Sequence, residues 1–435
     1  MSQVVFRDAP ARRAAIVAGC RTPFARAGTL FRDLSALDLA TVCLRELVER
    51  SELDPARLDL VVMGQVIPSV RAPNLAREAA LRAGLPPGVP AHTVNRACAS
   101  ASEAIASVAA AIQSGQAEAG IAGGAESLSD VPILASRRLA QALLRASRAK
   151  GWGSRLRAFA GLKPRDLAPV TPAIAEPSTG LTMGQSAEKL AQENGITREE
   201  QDEIAFESHR RAAAAAADGR LAGELCRVFV PPRYETVVEA DNQVRADVSR
   251  ETLAALRPVF DRRYGSVTAG NSSPLSDGAA ALLLMSEERA REEGIAVLAR
   301  IRSWAVAAVD PGGQLLMGPA LAIPRALERA GLGLAEMDLI EMHEAFAAQV
   351  ASNIRALESD SWAAERLGRA GAVGKLDRAR LNVCGGSIAL GHPFGATGAR
   401  LATTLARELA RRGARFGLLS VCAQGGMGFA MVLER

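Results

Sequence analysis

Short apolar runs alternate with stretches of helical period along most of the chain, and that alternation predicts α/β layers. Residues 14–18 read as a first buried strand. Positions Leu37, Ala40, Thr41, Leu44, Leu47 and Val48 recur with helical spacing and predict a helix over 34–50. Residues 60–63 read as a strand and 74–83 as a helix. Residues 99–114 read as a helix of small residues stopped near Gly115, and 120–122 as a strand closed by Gly123 and Gly124. The apolar run 279–285 suits a buried strand or a helix end and is far short of the roughly 18 residues of a membrane span.

The order then recurs. A helix over 323–330 leads through Met337-Asp338-Leu339-Ile340 into a strand, as an earlier helix leads through Leu58-Asp59-Leu60-Val61. Asn95-Arg96-Ala97-Cys98 opens one small-residue helix, and 382–398 opens another over 399–410, followed by a strand over 416–421 that ends near Gly425 and Gly426. These echoes predict a duplicated α/β half. We therefore expect an N-terminal half over 1–130 plus 256–295 and a C-terminal half over 296–435, with an inserted cover over 131–255. Within the insertion, Thr197-Arg198-Glu199-Glu200 is a capping box for a long helix stopped at Gly219. Residues 266–287 return to the first half as a Gly/Ser-rich loop and a strand.

Composition narrows the class. At 435 residues, 49% apolar and 23% charged, the chain is globular and of two to three domains. The first residues lack a signal-peptide core, and Arg7, Arg12 and Arg13 are a weak transit signal, so the mature protein is expected to begin near residue 1. Six cysteines (20, 43, 98, 226, 384 and 422) show neither CxxC spacing nor a pairing pattern, which fits a reducing cytoplasm and argues against disulfides and structural zinc. Only four of 52 basic residues are lysine, a bias expected of a GC-rich bacterial genome.

The net charge of +5 is local in origin. Residues 131–183 hold nine basic residues against Asp166 and Glu176, which leaves the rest of the chain slightly acidic. With only Trp152 and Phe159 as aromatic platforms there, nucleic-acid binding is set aside. Leu139 and Leu143, and Leu156 and Phe159, give apolar stripes with basic flanks. Such a segment suits a solvated cover, a partner chain or an anionic membrane surface.

Four residues draw attention as chemistry. Cys98 opens a helix among Ala97, Ala99, Ser100 and Ala101. A helix N-terminus lowers a thiol pKa, although a cysteine by itself is more often inert core. His392 lies between glycines in Gly391-His392-Pro393-Phe394-Gly395. No second histidine stands at ligand spacing, so no metal is expected, and the Lys-Ser/Thr of a phosphate loop is missing. His343 and Cys422 each stand beyond a strand, where open α/β sheets place ligands. His92 and His209 read as bland, the latter on a solvated helix, and Cys20, Cys43 and Cys226 read as packing.

In combination these motifs resemble the thiolase family. Asn95-Arg96-Ala97-Cys98-Ala99-Ser100, Ala122 to Ser129, Asn271 to Ser273 with Asp277-Gly278, His343-Glu344-Ala345-Phe346, Gly391 to Gly395 and Cys422 to Gly428 follow one another in the family's order. The likeness covers essentially the whole chain. Within the family it most resembles the β-subunit of the fatty-acid oxidation trifunctional complex, through His343 where most thiolases have Asn and through the basic insertion before Met183-Gly184.

The resemblance implies a thiolase fold of two duplicated halves in αβαβα layers with an inserted loop domain. It implies cleavage of 3-ketoacyl-CoA by CoA, with CoA a substrate and no cofactor. Cys98 would carry the acyl group, and His392 would take its proton and face the thioester oxygen. Cys422 would protonate the leaving enolate and later deprotonate CoA. His343 would help form the enolate oxyanion site through a water, and backbone N–H groups at Cys98 and Gln424 would form the other. Met183, Ser273, Phe346 and Gln424 would touch substrate. Gln424 stands where many thiolases have Gly and is expected to narrow the pocket, and Cys384 is read as packing. A homodimer or larger assembly is implied, with a hydratase/dehydrogenase α-subunit or a membrane as partner. The rivals are a biosynthetic thiolase with the same residues, a ketoacyl synthase, which lacks the Cys422 base, and a non-catalytic scaffold.

Overall fold

The computed structural model describes residues 12–170 and 175–435. Arg7, the expected start of the chain and Pro172 of the inserted cover lie outside the described residues.

The duplication is plain in the strand order. The first half runs 91–94, 60–64, 119–126, 276–286, 14–21 across the sheet. The second runs 339–342, 416–423, 427–434, 299–308, with Leu381 bridged beside Ile340 where the first half has its edge strand. Parallel and antiparallel pairings match between the halves. They join where Ala15 and Ile16 pair antiparallel with Arg300 and Ala299.

Five layers result. The helices Ser100–Gln113 and Thr397–Arg412 fill the middle, and both are buried on nearly every face. Strand residues alternate between that central core and an outer one. Ala280, Leu282 and Leu284 face inward, whereas Ala279, Ala281, Leu283 and Met285 face the outer helix Ala36–Ser51. Phe429, Met431 and Leu433 face inward, and Ala430 and Val432 face the helix Gly318–Ala330. Strands covered on both faces read as unbroken apolar runs, which is why the 279–285 run carried no period.

Several local expectations change. The strand expected to close at Gly123 and Gly124 runs on to Glu126. A Cβ on Gly124 would overlap the carbonyl oxygen of Gly395, so this glycine admits a neighbouring backbone and does not end the strand. Cys422 lies within the strand Phe416–Ala423, opposite Gly428 of a hairpin whose second arm is Met427–Glu434. His209 is not solvated. Residues 243–248 pack over the helix Arg198–Ala217, and His209 Nδ1 accepts the Arg245 N–H at 3.2 Å. Burial, with Arg245 beside it, holds this imidazole down at about 4.

The inserted stretch shares its cores with both halves. Ala187 and Leu190 pack with Leu316, Ala348 and Cys422. Ala212 and Ala215 pack with Cys384, Ala389 and Leu390, and Val228 joins the outer core of the first half. The basic helix Arg137–Arg148, capped by Ser136, buries only Ala142.

The Gly124 approach is testable. Gly124→Ala must separate two backbones in a packed interior, a strain of about 1–3 kcal/mol or more. Thermal unfolding should show a clear fall in melting temperature, and an unchanged melt would mean the seam is looser than described.

Candidate active site

Cys98 follows the strand Ala91–Val94 and stands one residue before the N-cap Ala99. The turn is tight, with Ala97 at φ +45°, in the left-handed region. Asn95 accepts the Ala97 N–H at 3.0 Å, and the Ser100 hydroxyl accepts the Arg96 N–H at 2.8 Å and donates to the Ala97 carbonyl at 2.6 Å. These bonds hold the sulfur at the mouth of the central layer.

The other three candidates come from the second half. His343 extends the strand Leu339–Met342, its N–H bonded to the Ser420 carbonyl at 2.8 Å. His392 sits on the loop before Thr397–Arg412, its N–H bonded to Ser276 Oγ at 3.0 Å. Cys98, His392 and Cys422 line one cavity of about 530 Å³, and His343 lies fully buried against His392, ring centroids 4.1 Å apart. Met183, Ser273, Phe346 and Gln424 all line the same cavity, with Val66, Leu316 and Phe394. The Phe346 ring meets Phe260 edge to face at 6.3 Å. A mostly apolar cleft with a few convergent polar groups is the usual form of a small-molecule site.

Hydrogen bonding sets the two imidazoles differently. Arg400 has only donors, and its Nη2 donates to Ser387 Oγ at 3.1 Å. The Ser387 hydroxyl then has its own proton to give, and His343 Nδ1 at 2.8 Å is the acceptor in reach. By this network the proton of neutral His343 rides on Nε2. Thr397 donates to the Pro393 carbonyl at 3.0 Å and so accepts from His392 Nδ1 at 2.6 Å, leaving His392 Nε2 with a lone pair. Neither Nε2 has a protein partner. One therefore faces the cavity region as a donor and the other as an acceptor.

Burial keeps both rings neutral. It lowers His392 to about 3, with Arg400 adding to the effect. It lowers His343 further from the ordinary range, helped by His392 and Arg400. Burial also pushes the Cys98 thiol up to about 11, although the N–H groups of Gln424 and of Cys98 itself face the sulfur and oppose the rise. This reverses the expectation from sequence that the helix N-terminus would lower it. Cys98 stands outside the first helical turn, in a desolvated pocket. Burial, with Cys98 close by, raises Cys422 as well.

Some residues at the site were given no role from the sequence, even where they fall inside a motif. Glu126, buried and pushed up to about 7, accepts the N–H groups of Val66, Ile67 and Gly395 at 2.9, 3.1 and 3.0 Å. Ser387, Thr397 and Arg400 orient the histidines, yet no periodicity marks Arg400 as inward. Glu344, within the His343 motif, accepts from Ser208 at 2.7 Å and Asn382 at 2.6 Å and fastens the long inserted helix to the second half. Gln424 does line the cavity, but its amide donates to the Ala175 carbonyl at 2.8 Å and is held away from the sulfur. Cys384 is buried among Ala212, Leu221 and Leu390, as packing.

The raised thiol has a direct readout. Alkylation of Cys98 in the free protein should keep accelerating as pH rises past 9 toward 11, because the thiolate fraction is still growing there. A plateau near neutral pH, read by peptide mass after timed iodoacetamide treatment, would contradict it.

Comparison with known proteins places this geometry. Residues 14–288 match the N-terminal domain of thiolase and residues 295–435 its C-terminal domain. The chain is 50% identical over 422 residues to the 3-ketoacyl-CoA thiolases of Escherichia fergusonii and Enterobacter sp., covering 97% of this chain and 97% of each of those proteins. The Bacillus anthracis acetyl-CoA acetyltransferase superposes with a TM-score of 0.82 at 37% identity, over 97% of this chain and 98% of that one. Human mitochondrial 3-ketoacyl-CoA thiolase in complex with CoA gives 0.81 at 32% identity, over 97% and 98%. With both halves matched and the same fold throughout, the chain belongs to the thiolase family.

Proposed function

We propose that this chain is a 3-ketoacyl-CoA thiolase, an acyltransferase that cleaves 3-ketoacyl-CoA with CoA to acetyl-CoA and a shortened acyl-CoA in fatty-acid breakdown. The observation that carries this reading is the convergence of two cysteines, a bare imidazole nitrogen and two backbone donors on one apolar cavity.

Cys98 attacks the 3-keto carbon. Its thiol and His392 are both neutral at rest, so the proton passes to His392 Nε2 as the S–C bond forms. The new oxyanion meets the N–H groups of Cys98 and Gln424, each worth about 3 kcal/mol of barrier when well aimed. The C–C bond then breaks to give the enolate of acetyl-CoA, and the acyl group stays on Cys98 as a thioester. His343, with its proton on Nε2, suits the enolate oxyanion site, directly or through a water. Cys422 supplies the proton that turns the enolate into acetyl-CoA. It then takes the proton of incoming CoA, whose thiolate takes over the acyl group, and the freed Cys98 sulfur recovers its proton from His392. Donor and acceptor are both thiols, so that transfer is nearly balanced. Met183, Ser273, Phe346 and Gln424 are assigned contacts along the substrate arm. CoA is taken as a substrate, with no resident cofactor.

We also place the chain in the cytoplasm as a homodimer or larger assembly. The basic insertion is assigned as a docking surface for a hydratase/dehydrogenase chain, as in a trifunctional complex, or for an anionic membrane. Trp152 is 78% and Leu156 68% exposed beside Arg155 and Arg157, which supports docking over a solvated cover. No helix among the described residues is long and apolar enough to cross a membrane.

Two experiments follow. Acyl-CoA should leave its acyl group on Cys98, and Cys98→Ser should lower turnover by several orders of magnitude. Cys422→Ala should still acylate Cys98 yet fail where the acetyl proton moves, and His343→Asn should keep partial activity. Acetyl-CoA release from ketoacyl-CoA of graded length, with single-turnover acylation beside it, reads all three. Equal loss of both half-reactions in Cys422→Ala would make Cys422 structural.

Reversing Arg137, Arg138, Arg145 and Arg148 to Glu should abolish cosedimentation with anionic liposomes or pull-down of the hydratase/dehydrogenase chain. Thiolysis of short substrates should change little. Persistence of both interactions, or collapse of short-substrate activity, would refute the docking assignment.

A further inference from the structure

The sequence offers no second histidine at ligand spacing, but folding removes that obstacle. His343 comes from a strand end and His392 from a glycine-rich loop, and one ring nitrogen of each lies with Cys98 Sγ in a group whose members are all within 4.8 Å of one another. The rings are 0% and 4% exposed. Each has its Nδ1 bonded to a hydroxyl, Ser387 or Thr397, while each Nε2 has no protein partner. Two imidazoles anchored through one nitrogen and bare at the other are arranged as metal-ligating histidines are, with a hydroxyl holding each Nδ1. Among the described residues this is the one group of three or more His, Cys, Asp or Glu side chains close enough to share an ion.

We propose that Cys98, His343 and His392 form a site for a borderline-soft divalent cation of the Zn²⁺ class, whose binding blocks the nucleophile reversibly. One thiolate and two imidazoles are the donors Zn²⁺ prefers, at about 2.3 Å for sulfur and 2.0–2.1 Å for nitrogen. Such bonds set ligand atoms roughly 3.5 Å apart in a tetrahedron, so from a spread within 4.8 Å the group closes by up to about 1.3 Å on binding. The fourth position faces the cavity and is open to water.

The step balances without a redox partner. The Cys98 S–H bond breaks, its proton leaves to solvent, and the sulfur lone pair forms the metal bond. His392 Nε2 donates the lone pair it already has. On His343 the proton moves from Nε2 to Nδ1. Ser387 then turns its hydroxyl to accept there while still accepting from Arg400, since a hydroxyl oxygen has two acceptor sites. His343 is the distinguishing residue. An asparagine in its place offers only an amide, leaving two ligands and a much weaker site.

Binding does not depend on the reaction assigned above, and its test is separable from that reaction. Co²⁺ is added to the chelator-treated full-length protein, with Zn²⁺ displacing it in a second titration. One Co²⁺ per chain should bind, with a thiolate-to-cobalt charge-transfer band and the intense visible bands of a tetrahedral ion. His343→Asn should weaken binding by about tenfold or more, and Cys98→Ser should remove the charge-transfer band. Circular dichroism and the melting temperature confirm that each variant is folded. A control independent of folding uses the unaltered chain. Alkylating Cys98 with iodoacetamide, confirmed by peptide mass, should abolish the band and release the metal. If the protein gives no band at millimolar Co²⁺, or if binding survives both Cys98 alkylation and His343→Asn unchanged, the site is refuted. Thiolase activity with metal absent is unaffected by either result.

Discussion

The site exists only because two halves of the chain meet backbone against backbone. Cys98 belongs to the first half, and His343, His392 and Cys422 to the second. No side chain fits between Gly124 and the Gly395 carbonyl, or between Gly398 and Ser102. Into this seam the first half sends one carboxylate, Glu126, which accepts N–H groups from its own loop at Val66 and Ile67 and from Gly395 of the second half. That loop carries His392 three residues earlier. The two central helices, buried on almost all faces, are rigid because each packs against strands and against the other. Cys98, one residue before the N-cap of one central helix, and His392, on the loop that enters the other, are therefore brought together by core packing, with ligand atoms within 4.8 Å.

A second feature is an ion pair in an unlikely place. Arg400 and Glu341 are 0% and 2% exposed in the middle of the molecule, Nη1 to Oε2 at 3.1 Å. Burial pushes the Glu341 carboxyl up and Arg400 pulls it back. Buried pairs of this kind seldom add net stability over apolar packing. What Arg400 does is local. Its charge disfavours protonation of both imidazoles, and its donation to Ser387 leaves that hydroxyl's own proton free for His343 Nδ1. The cation stands behind the proposed oxyanion donor His343, one residue removed through Ser387, where it would support negative charge.

The sequence carried the fold well and the site in part. Alternating apolar runs, the Thr197 cap and the repeated helix-to-strand order all survive in the structure, because each is written in neighbouring residues. The strands Ala299–Ala308 and Met427–Glu434 went unread, since Ala and Gly dilute their β signal and their pairing is distant. The motif residues were legible as motifs. Their environments were not. The raised Cys98 thiol follows from desolvation by segments far apart in sequence, and His209 was read as solvated because an alanine-rich helix shows no preferred face. Arg400 looks like any surface arginine until Glu341 and Ser387 of its own half are packed against it. The nearness of His343 to His392 depends on a strand end and a loop that only the tertiary fold brings together.

Gln424 joins these levels. In place of the glycine many thiolases carry, its side chain leaves the sulfur free and binds the Ala175 carbonyl, while the next residue, Gly425, donates its N–H to Glu176 at 2.9 Å. Ala175 and Glu176 belong to the inserted stretch, and Glu176 is 5% exposed. Gly425 and Gly426 both have positive φ, so the turn has little covalent preference for one position and depends on such bonds for its aim. The backbone N–H of Gln424 also faces the Cys98 sulfur and opposes the rise of its pKa. The inserted cover and the proposed oxyanion donor are therefore held by the same turn. A shift of the cover would act on catalysis through the direction of one N–H bond, with about 3 kcal/mol of barrier depending on that direction.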